Sequence, residues 1–504
     1  MLFNSPEFLF AFLPLTLLLT WAALRWGGRT AGVVALTMAS LFFYGWWDVY
    51  AIFTIGTSIA FNYKAAQFVA ASGDALRRRR ILWVGVVGNL AALAYFKYAN
   101  FFIANIASAT GAHLSTLNVV LPLAISFYTF QQIAFLVDTF QGKMQRIPFR
   151  DYMISVVFFP HLIAGPLLHY RDIITQFEKR FRVTGVTIAA GLPVFAVGLA
   201  KKVAVADPIA QFVSPLFTKA QSAPLELFEA WAAALGYTAQ LYFDFSGYSD
   251  MAIGLGLMFG ITLPLNFFSP YKATSIIEFW RRWHITLSGF LRDYLYFPLG
   301  GSRVGPIRRH CNLAIVMLLG GLWHGAAWTF VFWGGMHGVM LVFNHLWRNL
   351  VGSRLGRVNT VLVPIYAVLT FVLVVIGWVF FRAPTFAAAL NVLGGMFSPA
   401  VVSLPGEFSY HLGVGNIPGI EWGKGMSFAD FVGFWTYALT AYALIWLAPN
   451  TAQIFGLDGQ RSAAPRLNRN LTAAFRLAAT AALFWLSGFG VFSSVPSEFL
   501  YFQF

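Results

Sequence analysis

Apolar segments long enough to cross a lipid bilayer recur along almost the whole of this chain. A helix needs roughly 20 mainly apolar residues to span the hydrocarbon layer, and we predict about eleven spans, with some half-length segments among them. Twelve apolar segments are the candidates: Phe8–Ala23, Val33–Trp47, Tyr50–Ala71, Ile81–Phe96, Leu121–Val137, Thr187–Ala200, Phe228–Phe245, Met251–Leu263, the long run Asn312–Trp347, Val361–Phe381, Phe431–Leu447 and Leu471–Val491. The pattern predicts an all-α polytopic membrane protein without a soluble domain.

The low proportion of charged residues indicates the same class. Of the 504 residues, 58% are hydrophobic and 11% are charged, whereas soluble domains carry about 25% charged residues. The formal net charge is +15, but the basic residues stand in short clusters between apolar runs, as membrane orientation requires. Nucleic-acid binding is therefore not expected. The single cysteine, Cys311, excludes an internal disulfide framework and a cysteine metal cluster.

Two apolar stretches cannot be simple spanning helices. The stretch FFPHLIAGPLLHY, from Phe158 to Tyr170, contains two prolines and a glycine, so we expect a bent or re-entrant segment. The run Asn312–Trp347 would be about 54 Å long as one helix, well beyond the hydrocarbon thickness. We expect it to break at Gly325 or at the pair Gly334–Gly335.

The stretch Ser275–Ser302 begins like an amphipathic helix. Ser275, followed three residues later by Glu278, fits a capping box. At 100° per residue, about one third of the circumference is polar. That polar stripe contains Glu278, Arg281, His284, Ser288 and Arg292. We predict a continuous helix that lies at the membrane interface or lines an internal cavity.

Two histidines stand out in these apolar surroundings. His284 lies in the middle of the polar stripe, and His324 lies in the glycine-rich sequence GGLWHG. Ionisable groups in a membrane usually face the protein interior or a water-filled cavity. Each is either a hydrogen-bonded core residue or a group that moves protons in a reaction, for which an imidazole is suited near neutral pH.

The sequence disfavours several other kinds of site. It contains no HExxH, no phosphate-binding GxxxxGK[ST] or GxGxxG loop and no GxSxG nucleophile motif. His337 and His345 follow His324 on the same run, but the 140° between His324 and His337 on a continuous helix does not suit shared metal binding. We therefore expect no metal. The arginines around the stripe either bind lipid headgroups or meet a phosphorylated donor; these are Arg281, Arg282, Arg303, Arg308 and Arg309.

Several stretches together resemble a known family. They are LPLAISFYTFQQIAFLVD (Leu121–Asp138), FFPHLIAGPLLHY, QLYFDFSGYSDMAIGLGLMFGITLPLNFFSPY (Gln240–Tyr271), EFWRRWHITLSGFLRDYLYFPLGG, GLWHGAAWTFVFWGGMHG, GWVFFRA (Gly377–Ala383) and FLYFQF. The chain is similar to the membrane-bound O-acyltransferases, specifically the bacterial branch related to the alginate O-acetyltransferase membrane subunit. The resemblance extends over almost the whole chain, so we predict a single domain over residues 1–504. His161 and His169 depart from the family pattern.

The resemblance implies helices arranged around a central tunnel, with re-entrant and amphipathic helices among them. The acyl donor would be a cytoplasmic thioester, acetyl-CoA, and no cofactor would be permanently bound. The acceptor would be a hydroxyl of an exported or cell-envelope polysaccharide. A periplasmic partner resembling SGNH hydrolases would take part in the transfer, and the chain would lie in the bacterial cytoplasmic (inner) membrane.

The resemblance also implies roles for the two histidines. His324, in the family's WHG element, would be the general base, and His284, in its RRWH element, would orient the thioester, polarise its carbonyl or relay the proton. Candidate donor- or substrate-binding residues are Arg281, Arg282, Trp323, Ser288 and Asp250.

Other functions remain open at this stage. The chain could transfer D-alanine from a carrier protein to teichoic acid, as a sister branch does. It could also be a transporter that moves a glycan or lipid without reacting with it. The acceptor could be alginate, cellulose, peptidoglycan or another glycan.

Overall fold

Helices dominate the computed structural model, which describes residues 1–144, 147–168, 170–352, 360–398, 402–413, 417–457, 491 and 499–500. These residues form two compact units. The first contains Met1–Leu199, Tyr248–Leu265 and the described residues beyond 467, and the second contains Ala200–Gly247 and the described residues from Asn266 to 457. His161 belongs to the first unit, and His169 lies outside the described residues.

The helices before residue 200 belong to the first unit. They are α1 (Leu13–Tyr44), α2 (Val49–Ala71), α3 (Ala75–Leu93), α4 (Ala99–Thr110), α5 (Ile125–Phe140), α6 (Phe149–Val157), α7 (Phe159–Leu162), α8 (Tyr170–Lys179) and α9 (Gly185–Ala200). Asp48 and Asp74 cap α2 and α3 by accepting hydrogen bonds from backbone N–H groups of the first turn. The first two predicted spans correspond to two helical parts of α1, which are separated at Gly28, where the backbone is not helical and the φ of +70° suits glycine.

The following elements complete the described chain. They are α10 (Asp207–Lys219), α11 (Leu227–Met258), α12 (Ile276–Arg282), α13 (Ile285–Leu291), α14 (Pro306–His324), α15 (Trp328–Trp347), α16 (Val363–Arg382), α17 (Phe386–Phe397), β1 (Val402–Leu404), α18 (Gly406–Leu412), β2 (Ile420–Trp422), α19 (Phe428–Leu447) and α20 (Thr451–Phe455). Short π-helical segments adjoin some of them, at Glu7–Phe12, Ala94–Tyr98, Lys201–Ala206, Arg292–Tyr296 and Arg348–Gly352. Pro270–Lys272 is a 3₁₀ turn.

Within the described residues, five helices are long and apolar enough to cross a membrane: Glu7–Tyr44, Ala75–Thr110, Gly185–Lys219, Val363–Arg382 and Phe428–Leu447. The membrane class is thereby supported, whereas the total of about eleven stays a prediction. The predicted span Leu471–Val491 lies outside the described residues except for its last position.

Three predictions about regular structure were wrong. The separate spans Phe228–Phe245 and Met251–Leu263 form mainly one helix, α11, because the sequence between them contains no proline that would break it. The all-α prediction misses a parallel strand pair in which Val402 is opposite Ile420 and Leu404 is opposite Trp422. The continuous amphipathic helix after Ser275 is interrupted, as described below.

Other predictions were confirmed. The stretch from Phe158 is irregular, because α7 is only four residues long and is followed by turns. The long apolar run breaks at Gly325, between α14 and α15, whereas Gly334 and Gly335 lie inside α15.

The core of the second unit is mainly aromatic. The side chains of Trp283, Trp333 and Trp378 are almost completely buried. The Trp378 ring centroid lies 4.8 Å from that of Trp283 and 5.6 Å from that of Trp333. Aromatic rings at such spacing pack favourably and hold fixed orientations. His324 packs against this cluster, because its ring centroid lies 5.3 Å from that of Trp333, and His284 directly follows Trp283 in the sequence.

Candidate active site

The backbone turns abruptly at His284. Helix α12 ends at Arg282, His284 adopts a left-handed conformation with φ +42° and ψ +54°, and α13 begins at Ile285. For a residue with a side chain this conformation costs of the order of 1–2 kcal/mol. The polar stripe that was predicted for one continuous helix is not formed, because the break turns His284 into the core whereas Arg281 stays exposed.

A neighbouring segment holds this strained turn in place. The backbone N–H of Phe268 donates to the Arg282 carbonyl (2.9 Å), and that of Ile285 donates to the Asn266 carbonyl (3.0 Å). The buried Asn266 side chain adds a bond from the Thr286 hydroxyl to its Oδ1 (2.6 Å). Satisfying the backbone groups on both sides of the turn offsets the conformational cost of His284.

The start of α12 agrees largely with the prediction. The Ser275 hydroxyl accepts a hydrogen bond from the Glu278 N–H (3.2 Å), as an N-cap should. The Glu278 carboxylate does not complete the reciprocal capping box. It accepts instead from the N–H and hydroxyl of Thr274, at 2.7 and 2.9 Å, and it pairs with Arg282.

His324 is the last residue of α14, directly before the break at Gly325. A Cβ on Gly325 would overlap the ring of Phe330, so the break needs a residue without a side chain. Helices α14 and α15 also pack closely through Gly321 and Gly334, because a Cβ on Gly334 would lie 3.1 Å from the Gly321 Cα. Small residues of this kind let membrane helices approach. They fix His324 against α15.

Both histidines are buried and contact the same indole. The exposed fraction is 0% for His284 and 4% for His324. The Trp323 ring centroid lies 6.4 Å from that of His284 and 4.9 Å from that of His324. Phe245 packs perpendicular to His284 at 4.8 Å. The structure therefore brings together two imidazoles that are 40 residues apart in the sequence.

His324 has aromatic neighbours on α15 and α16 as well. Its ring centroid lies 5.3 Å from that of Trp333 and 5.1 Å from that of Phe381. An imidazole in such surroundings is shielded from bulk water, which strengthens electrostatic interactions with a bound substrate. The arrangement suits proton transfer to or from a substrate that enters this core.

The other predicted site residues have different surroundings. Trp323 is at the centre of the site, and Ser288 lies one turn after His284 on α13. Arg282 forms an ion pair with Glu278 (2.5 Å), and Arg281 is exposed. Asp250 is buried near the end of α11 but belongs to the first unit, whereas both histidines belong to the second.

A buried ion cluster in the second unit was not predicted. The ammonium of Lys202 lies 2.5 Å from Asp244 Oδ1 and 2.9 Å from Asp207 Oδ1. Asp244 directly precedes Phe245, the residue that packs on His284. Pairing is required because unpaired buried charges are strongly unfavourable. In the sequence these residues are indistinguishable from scattered charges at the ends of apolar runs.

The described residues contain no cluster of three or more metal-ligating side chains. Conversely, sequence reasoning considered His337 only as a metal ligand, although its ring lies 4.8 Å from that of Trp333, a direct neighbour of His324. The sequence spacing of His324 and His337 does not predict this proximity, because the helix breaks between them.

Comparison with known proteins defines the class. The MBOAT, membrane-bound O-acyltransferase family, matches residues 77–383, a range that includes His284 and His324. The chain belongs to the membrane-bound O-acyltransferase family and is an O-acyltransferase.

Its relatives in this family act on different acceptors. The chain is 42% identical to the peptidoglycan O-acetyltransferase of Helicobacter pylori over 432 residues, which is 80% of this chain and 81% of the relative. It is 43% identical to the probable alginate O-acetylase AlgI of Pseudomonas aeruginosa over 404 residues, 79% of this chain and 75% of the relative. The teichoic acid D-alanyltransferase of Bacillus subtilis is more distant, with 26% identity over 237 residues, 44% of this chain and 59% of the relative.

Proposed function

We propose that this protein transfers acetyl groups from a cytoplasmic thioester, acetyl-CoA, to hydroxyls of an exported or cell-envelope polysaccharide. The observation that carries the proposal is the contact of two buried imidazoles, His284 and His324, with one indole, Trp323. Both relatives with at least 40% identity described above are O-acetyl-transferring enzymes by name, which supports acetyl as the acyl group.

In this proposal His324 is the general base. It removes the proton from the acceptor hydroxyl while that oxygen attacks the thioester carbonyl carbon. A carbon–oxygen bond forms, the carbon–sulfur bond breaks, and the departing thiolate receives the proton that His324 took up. His284, held in its strained turn, orients the thioester, polarises its carbonyl or relays the proton.

The charge distribution of the second unit supports a cytoplasmic donor. Arg308 and Arg309 lie in the first turn of α14, Arg303 precedes that helix, and Arg348 follows the end of α15. Such basic ends remain in the cytoplasm. The helix places His324 about 27 Å from Pro306, so a donor that binds at the basic end has to extend far along α14. An acceptor from the opposite side then meets the acyl group near His324.

In this proposal the protein lies in the inner membrane of a bacterium, and the acetyl group is delivered outside the cytoplasm. A periplasmic SGNH-hydrolase-like partner receives or delivers the acetyl group there. D-alanyl transfer to teichoic acid is the second candidate, and the weaker match to a D-alanyltransferase favours it less. The two candidates differ in the donor, since the second requires an aminoacylated carrier protein.

Measuring the ester content of envelope glycans tests the proposal in the organism that carries the gene. Deletion should remove O-acetyl esters from one glycan fraction, which identifies the acceptor, and the intact gene should restore them. In cells complemented with His324→Ala, the initial rate of acetyl-ester formation should be about 10²–10⁴-fold lower than with the intact gene at equal protein abundance, because a general base usually contributes this factor.

His310→Ala is the matched control, because His310 lies on the same helix, in its first turns at the basic end. It should restore the esters fully. If His324→Ala restores them as well as the intact gene, the base assignment is wrong. If deletion leaves acetylation intact but stops export of a glycan, the chain is a transporter, and loss of D-alanine instead of acetate identifies the second candidate.

A further inference from the structure

Three helices bring positive charges together at the basic end of the second unit. Arg281 lies in the last turn of α12, Arg309 lies in the first turn of α14, and Arg348 directly follows α15. These three residues are called the arginine cluster below. They come from segments that are far apart in the sequence, so their proximity is a property of the fold.

The imidazole of His345 marks the point on which the cluster converges. His345 lies in the last turn of α15, outside the five candidate spans. Burial lowers its pKa, and so do the neighbouring basic groups, which are Arg309, His310, Arg348 and Arg281. The ring centroid of His345 lies 6.5 Å from that of His310, and Nη2 of Arg309 lies 3.3 Å from Nε2 of His310. Because electrostatic effects weaken with distance, the three arginines lie around one imidazole.

His310 contributes no positive charge to this arrangement. A guanidinium nitrogen can only donate a hydrogen bond, so Nε2 of His310 accepts from Arg309. The His310 ring is therefore neutral, with its proton on Nδ1. Replacing His310 removes no charge from the arginine cluster.

Within the described part of the chain, no carboxylate pairs with the arginine cluster. The acidic residues of the neighbouring segments have other partners, because Glu278 pairs with Arg282 and Asp293 pairs with Arg292. Like charges repel, and water screens this repulsion incompletely where a group such as Arg309 is partly buried. An anion that carries several negative charges would turn this repulsion into attraction.

We propose that Arg281, Arg309 and Arg348, around His345, bind phosphate groups, and that these phosphates belong to the acyl donor. Guanidinium groups present paired N–H donors that match phosphate oxygens, and a neutral imidazole adds one further N–H. This inference rests on the proposed function for the identity of the donor. An anionic lipid headgroup offers the same phosphate chemistry, so the experiment below has an arm for each source.

The length of helix α14 favours the donor over a lipid. Arg309 and His324 are the fourth and the last residue of α14, and they lie about 22 Å apart along the helix axis. The phosphopantetheine arm of acetyl-CoA has about thirteen bonds between its phosphorus and its sulfur, and it extends to about 16 Å at roughly 1.2 Å per bond. The long arginine side chain covers the remaining distance. Phosphates held at the arginine cluster therefore leave the thioester near His324.

Thermal unfolding of the purified, detergent-solubilised protein tests binding without requiring catalysis. CoA should raise the melting temperature, and pantetheine, which has the same arm without phosphates, should raise it far less at the same concentration. In Arg309→Gln the affinity for CoA should fall by about 10–100-fold, the usual effect of losing a hydrogen bond to a charged group. Without ligand, Arg309→Gln should melt no lower than the unaltered protein, because it removes a repelling charge.

Arg79→Gln is the matched control. Arg79 is an exposed arginine on α3 in the first unit, so the substitution makes the same change of charge away from the cluster. It should keep the full effect of CoA on the melting temperature. The same comparison applies to the kinetics described next.

Steady-state kinetics on membrane vesicles from the complemented cells test the role in transfer, with radiolabelled acetyl-CoA as donor. Arg309→Gln should raise KM for acetyl-CoA by about 10–100-fold and leave kcat nearly unchanged, because the cluster lies far from the reacting bond. The lipid arm uses purified protein in vesicles of phosphatidylcholine with and without phosphatidylglycerol. If the donor supplies the phosphates, phosphatidylglycerol should not change the melting temperature.

The possible failures are distinguishable. If the vesicles transfer no acetyl group, the proposed function is wrong, and the effect of CoA on the melting temperature still tests the cluster. Equal effects of CoA and pantetheine, with an unchanged KM in Arg309→Gln, overturn donor binding. Stabilisation by phosphatidylglycerol that Arg309→Gln abolishes would then assign the site to a lipid headgroup, and its absence would overturn the phosphate site. A lower melting temperature of ligand-free Arg309→Gln with an unchanged KM would identify a structural role and would also overturn it.

Discussion

A methyl group on Gly334 should separate the two helices that fix His324. In Gly334→Ala the new Cβ meets the carbonyl oxygen of Met317 and lies 3.1 Å from the Gly321 Cα. The first contact is to backbone, so it cannot be relieved by rotating a side chain. Restoring normal van der Waals distance requires α14 and α15 to separate by roughly 1 Å. Since α14 ends at His324 and α15 carries Trp333, the proposed base moves relative to the aromatic ring against which it packs.

Alanine at this position improves helix propensity by about 1 kcal/mol, so any loss arises from the contact between the helices. Overpacking of this kind costs about 1–3 kcal/mol of stability. A displacement of about 1 Å at His324, the proposed base, should lower kcat/KM by about 10²-fold. The assay is acetyl transfer from radiolabelled acetyl-CoA in membrane vesicles from the complemented cells, normalised to protein amount, together with thermal unfolding of the detergent-solubilised protein.

The adjacent glycine is the control. A Cβ on Gly335 would lie 3.2 Å from Cδ2 of Leu318, the end of a side chain that can rotate away. Gly335→Ala should therefore keep both activity and stability. Equal activity and equal melting temperature in Gly334→Ala and Gly335→Ala would refute the view that close packing of α14 on α15 positions His324.

Two further substitutions address the supports of the site. Asn266→Ala removes the acceptor of the Thr286 hydroxyl, and it should lower the free energy of unfolding by about 1–3 kcal/mol and reduce acetyl transfer by releasing the turn at His284. Asp244→Asn leaves the buried Lys202 ammonium with one carboxylate partner fewer, and it should lower the stability by up to about 3–5 kcal/mol, measured by thermal unfolding.

Matched variants separate these effects from general sensitivity to mutation. Thr286→Ser keeps the hydroxyl that bonds to Asn266, so it should be neutral. Asp293→Asn disrupts a largely exposed pair with Arg292 and should change stability by less than about 1 kcal/mol. A neutral Asn266→Ala would show that the turn at His284 does not need its clamp, and a neutral Asp244→Asn would show that the ion cluster is dispensable.

Local sequence signals predicted the features that depend on neighbouring residues. The Ser275 cap, the break at Gly325 and the irregular stretch after Phe158 were all found where the sequence indicated them. Each depends on a property of one short segment: a hydroxyl before a first turn, a residue without Cβ, or proline within an apolar run.

Helical periodicity failed where a distant segment competes with the helix. The projection of Ser275–Ser302 as one helix assumes that each N–H bonds four residues back. At His284 the backbone groups bond instead to Asn266 and Phe268, which no local pattern reveals. The same limitation led to the wrong division of α11 into two spans, because hydropathy alone does not show whether a polar interval such as Ser249–Asp250 is a loop or a buried helical turn.

By itself, the sequence determined that this chain is a membrane protein of the O-acyltransferase family and that His284 and His324 are its candidate catalytic groups. Apolar length, charge distribution and motif are properties of the linear chain, and they need no knowledge of contacts. Only the tertiary structure decided that both imidazoles contact Trp323 and that glycines set the spacing of α14 and α15. These relations depend on helix packing between segments far apart in the sequence, where a few tenths of an ångström decide which atoms can meet.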